Sequence, residues 1–105
     1  MDNYEGPEFP GGIKVLYKWV SDSLSYPNST LDWSGRIVVE FDITEEGETA
    51  NPRIIKGGPD ALENEIIKLI NKMPNWNPRM SNGKPIKSSY VLPITFKLAD
   101  EESPH

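Results

Sequence analysis

The chain has no cysteine and a single histidine, His105, at its last position. Without cysteine there is no disulfide framework and no thiolate chemistry. The absence does not choose a compartment, because oxidising spaces permit disulfides without requiring them. One terminal histidine gives no support for a histidine-based triad or metal site. No apolar run approaches the ~20 residues of a membrane span, and no signal peptide is visible. Any anchoring or export element is therefore expected outside this sequence. Positive charge is also short: 11 Lys and Arg stand against 16 Asp and Glu, for a net charge of −5. Neutralising phosphates takes clustered cations, so nucleic acid is not an expected partner.

What is present fits one domain with a modest core: 105 residues, 36% hydrophobic and 26% charged. The clearest element is Gly35–Thr44, in which Ile37, Val39, Phe41 and Ile43 alternate with Val38, Glu40 and Asp42. A period of two with β-branched and aromatic residues specifies a strand with one dry and one wet face. It contains no proline. Two further segments read as strands, Thr49–Lys56 and Lys87–Leu98, and each carries one (Pro52, Pro93). Proline cannot donate to a ladder and favours edges, so the proline-free strand belongs in the middle.

Ile13, Leu16, Tyr17, Val20 and Leu24 fall on one helical face, and the helix should stop before Pro27. Trp19 lies off that stripe and is expected as a partly buried flank residue. Leu62, Ile66, Leu69, Ile70 and Met73 mark a second helix. It opens either on a capping box, Asp60 with Glu63, or with Gly58 as cap and Pro59 at the first helical position. Turn chemistry sits at Glu45-Glu46-Gly47, in the proline-bracketed Met73–Pro78 and at Asn82-Gly83.

The elements run α-β-β-α-β. A crossover through the second helix places the last strand beside the first. The expected fold is α+β: a two-layer structure with a three-stranded antiparallel sheet, order 2-1-3, and two helices on one face. Residues 1–12 read as an irregular lead-in, 13–98 as the domain and 99–105 as an acidic tail.

Catalytic chemistry is hard to find. Glu40 and Asp42 are better explained as a solvated sheet face than as a general acid/base pair. Gly57-Gly58-Pro59 lacks both the Lys-Ser/Thr of a P-loop and the glycine spacing of a dinucleotide fingerprint. The three tryptophans, without a basic groove, read as packing rather than stacking platforms. The expectation is a non-enzymatic protein with no cofactor and no metal. The last strand is then the feature of interest. Lys87-Ser88-Ser89-Tyr90-Val91, ahead of Pro93, can accept an extended peptide by β-augmentation. The alternative is a merely protected edge, for which Lys87, Pro93 and Lys97 are the usual devices.

Several segments in order resemble the C-terminal domain of TonB proteins. These are Pro7–Gly12 ahead of a helix, Tyr26-Pro27 after it, Gly35–Phe41, the Gly47 turn, Met73–Pro78, Asn82–Pro85 and Leu92–Phe96. The resemblance implies a periplasmic domain of an inner-membrane energy transducer. In that family the domain grips the TonB box of an outer-membrane transporter, whose cargoes are typically iron-siderophores, cobalamin or glycans. Carried over, the partner-binding residues are Tyr26, Pro27, Ser88, Ser89, Tyr90, Val91, Leu92, Ile94 and Phe96. Trp76 and Pro78 match positions read as structural. A proton-motive complex of the inner membrane is implied as a second partner, reached through an N-terminal anchor and spacer that this sequence lacks. Similar domains end membrane-bound regulatory peptidases, which leaves a sensing or scaffolding role as the alternative. An edge-paired homodimer is a further expectation, because an open edge is open to itself.

Overall fold

The computed structural model describes residues 6–24 and 33–96. Helix α1 covers Ile13–Ser23, strands β1 and β2 cover Gly35–Ile43 and Thr49–Lys56, and helix α2 covers Asp60–Asn71. A small hairpin follows, β3 (Arg79–Ser81) with β4 (Lys84–Ile86), and then the long strand β5 (Ser88–Phe96). Among the described residues the main sheet is antiparallel in the order β2-β1-β5. That is the expected 2-1-3 arrangement of an α+β, two-layer fold.

The alternation in β1 sorts its side chains as read: Ile37, Val39, Phe41 and Ile43 are fully buried. They meet Leu16 and Val20 of α1, Leu62, Ile66, Leu69 and Ile70 of α2, and Leu92, Ile94 and Phe96 of β5 in one core cluster. Both helices therefore cover the same sheet face. Each fully buried aliphatic or aromatic side chain contributes roughly 1.5–3 kcal/mol before entropy is subtracted.

Helix α1 differs from its sequence pattern. Of the five stripe residues only Leu16 and Val20 are buried; Leu24 is half-buried, while Ile13 and Tyr17 are 58% and 40% exposed. The seam under α1 is narrower than the stripe. Trp19 packs as a half-buried flank, its ring 6.1 Å from that of Phe9. Ahead of the helix, Phe9 is buried and Glu8 bridges Asn77 through the backbone, so this lead-in packs on the same core.

At the start of α2 the Asp60 side chain makes no cap. Pro59 occupies the N-cap position, and the Glu63 carboxylate accepts a hydrogen bond from the Gly58 N–H at 2.9 Å. The β1–β2 turn is held by Gly47, whose carbonyl accepts from the Trp76 N–H at 2.7 Å. Gly47 has φ +89°, and a Cβ there would collide with the Trp76 carbonyl. Only glycine fits this site. Asn82 (φ 54°) and Gly83 (φ 78°) form the expected turn, and both positive φ values match the type I′ hairpin connection. The strands β3 and β4 on either side of it were not anticipated.

Candidate functional site

Strand β5 lies at a border of the sheet, and among the described residues only β1 pairs with it. The ladder is regular: nine consecutive partners run from Gly35 opposite Phe96 to Ile43 opposite Ser88. The outward groups follow from two observations. The Thr44 N–H donates to the Glu48 carbonyl across the β1–β2 turn, so even-numbered residues of β1 turn their backbone toward β2. Antiparallel pairing alternates, which leaves odd-numbered β1 residues for β5. Their partners are Ser88, Tyr90, Leu92, Ile94 and Phe96. Ser89, Val91, Pro93 and Thr95 then turn their backbone away from the sheet. Pro93 agrees, because its missing N–H interrupts the outer row rather than the β1 ladder.

The side chains of β5 sort by face. Leu92, Ile94 and Phe96 are buried, Tyr90 is half-buried against the core, and Ser89, Val91 and Thr95 are exposed on the open face. Ser88 is half-buried, and its hydroxyl has no hydrogen-bond partner among the described residues. Of the residues named from sequence, Tyr26 and Pro27 lie outside the described residues, and the others line up along this one strand.

Beneath the N-terminal half of β5 an aromatic cluster sets the strand's height over the helices. Trp76 packs tilted against Tyr90 at 4.9 Å, and edge-on to Phe9 at 5.5 Å and to Phe41 at 5.6 Å. Such ring pairs add about 0.5–1.5 kcal/mol each beyond area burial. Trp33 packs 6.0 Å from Phe96 at the other end.

Along the C-terminal half of β5 runs a hollow of about 600 Å³ lined by Tyr17, Val20, Ser21, Leu24, Arg36, Pro93, Ile94 and Thr95. A smaller one of about 210 Å³ lies by Tyr90, against Pro7, Phe9, Ile13 and Trp76. Ile13 and Tyr17, the two exposed stripe residues of α1, each line one of these. Sequence reading placed both in the core and so missed them as site residues. Arg36 and Thr95 gave no signal at all, since strand register brings them together.

The open face carries a charge network. Arg53 donates to Asp42 at 2.9 Å and to Glu40 at 3.3 Å, Asn51 donates to Asp42 at 3.0 Å, and Lys87 stands 3.7 Å from Asp42. The Asn51 amide first, and then the Arg53 guanidinium, hold the Asp42 carboxyl below the usual aspartate range. These groups satisfy one another, as expected of a solvated sheet face.

The described residues thus form an α+β sheet with one regular border strand, hollows beside it and a paired charge network on the open face around Asp42. A family model described as the Gram-negative bacterial TonB protein C-terminal matches residues 23–98. That is more than half of the chain, and the protein belongs to this family. Membership implies a TonB-type periplasmic domain, in a family of energy-transducer interaction domains known to engage outer-membrane transporters. No curated protein matches the chain.

Proposed function

We propose that this protein is the transporter-gripping domain of a TonB-type energy transducer. It is non-catalytic and receives the TonB box of an outer-membrane transporter as an added strand on β5. Residues 13–98 form the unit that docks, anchored to the inner membrane by a segment outside this sequence. One observation carries the reading: among the described residues the unbroken ladder of β5 has a single neighbour, with a hollow alongside its other border. Main-chain bonds from Ser89, Val91 and Thr95 supply affinity, and the hollows under the edge receive alternate side chains of the guest. Docking along one strand buries little area, so affinity is roughly micromolar.

The test is a ¹⁵N NMR titration of the 105-residue chain with synthetic TonB-box peptides. Shifts concentrated on Ser89–Thr95, with the lining residues Tyr17 and Ile94, support the proposal. Shifts confined to β2, or none at millimolar peptide, refute it.

A further inference from the structure

The hollow beside the C-terminal half of β5 has two walls of different chemistry. Toward α1 it is mostly apolar, with Tyr17, Val20, Leu24 and Ile94 and the one hydroxyl of Ser21. Toward the open face it is built from Pro93, Thr95 and Arg36. Among the described lining residues Arg36 is the only charged one. Arg36 stands directly opposite Thr95 in the β1–β5 register. Its guanidinium makes no ion pair or hydrogen bond among the described residues, whereas Arg53, on the same face, is engaged by Glu40 and Asp42.

A strand added to β5 alternates its side chains between these two walls. Residues facing the helices extend the core layer over Tyr17, Val20 and Leu24. Residues facing the other way stand in line with Thr95 and Arg36. Two strand spacings, about 10 Å, separate the Arg36 backbone from such a residue. Thr95, the only side chain between them, is short. An arginine extended across it meets a carboxylate on the guest strand, and its planar fork suits that group.

We infer that Arg36 is a specificity residue: the guest segment carries an aspartate or glutamate on its open-face side, flanked by apolar residues that face α1. The inference rests on β5 being the docking edge. A chain of net charge −5 repels acidic segments at long range, so the preference is local to this hollow.

The experiment compares two end-blocked synthetic peptides, Thr-Val-Glu-Val-Thr-Val and its Gln counterpart, by ¹⁵N titration of the wild-type chain and of Arg36→Gln and Arg36→Lys. The wild type binds the Glu peptide about five-fold tighter, a margin typical of a partly exposed ion pair, and loses most of that margin in 0.5 M salt. Arg36→Gln makes the two peptides equal, and Arg36→Lys keeps part of the preference. Blocked ends assign the effect to the side chain rather than to a terminal carboxylate. Equal affinities in the wild type, or a preference that survives Arg36→Gln, overturn the inference while leaving β5 as the docking edge. Failure of both peptides to move β5 resonances overturns both.

Discussion

The sheet has two borders, and they are built differently. Strand β2 meets β1 with two breaks of register, between Val38 and Val39 and between Glu40 and Asp42. It carries Pro52 and places Asn51 at φ 53°. Its Arg53 is tied down to Asp42 and Glu40. Bulges, proline and charge are the devices by which edges are closed to foreign strands. Strand β5 has an unbroken ladder of nine partners and one proline. Among the described residues one border of the sheet is broken by bulges and the other is regular, so the regularity of β5 is not a default of the fold. That contrast supports reading β5 as the border meant for a partner.

The largest way to disturb the contrast is to unseat the closed side. Gly47 docks the β1–β2 turn onto Trp76, and Gly47→Ala demands both a positive φ and space that the Trp76 carbonyl occupies. A loss of about 2–4 kcal/mol is expected, and thermal or denaturant unfolding measures it. A stability change below about 0.5 kcal/mol would mean the turn is not pinned as described.

Next in size is closing the open side. Val91→Pro removes an outward N–H from β5 and leaves the β1 ladder intact, so peptide affinity falls about ten-fold or more with little change in stability. Ile55→Pro on β2 is the control, and its affinity stays at the wild-type value. An equal drop in both variants would dissolve the distinction between the borders.

The converse change is smaller and bears on self-association. Two copies of β5 paired about their centre set Val91 against Pro93, so each copy leaves one carbonyl without a donor. A guest strand meets that loss only once. Pro93→Val restores the N–H and should raise peptide affinity several-fold and bring out concentration-dependent dimers in sedimentation. Should wild type and Pro93→Val sediment alike at all concentrations, proline is not what keeps the edge from pairing with itself.

Much of this architecture could be read from residue order. The period-two run of β1 and the prolines of the other two strands ordered the sheet correctly, because both are local consequences of ladder geometry. Asn82-Gly83 announced its turn, but β3 and β4 are three residues each, too short to show a period. The α1 stripe misled in an instructive way. Periodicity tells which residues share a face, not how wide the partner surface is. Among the described residues no strand pairs beyond β5, and Ile13 and Tyr17 stand partly exposed beside that border. Arg36 and Thr95 meet only through register across two strands far apart in sequence, which no local pattern encodes.

The smallest effect expected is at Asp42, and it probes whether the open-face charges serve the fold or the guest. Its carboxyl lies below the ordinary aspartate range because the ionised form accepts hydrogen bonds from Asn51 and Arg53. A depressed carboxyl titration adds stability that is complete above the unfolded aspartate pKa and is lost as pH falls through the folded value. The wild type should therefore lose this increment only in strongly acidic solution, and Asp42→Asn should remove it at neutral pH. The side chain is partly exposed and the ions are screened, so the expected cost is about 0.5–1 kcal/mol. Denaturant unfolding of both proteins between pH 2 and 7 checks it: the gap between the two curves narrows toward the acid end. Peptide affinity at pH 7 stays within two-fold, because the hydrogen-bonded partners of Asp42, Asn51 and Arg53, belong to β2. A large loss of affinity in Asp42→Asn with unchanged stability would move these charges from the closed border to the open one, and the division of labour between β2 and β5 would have to be redrawn.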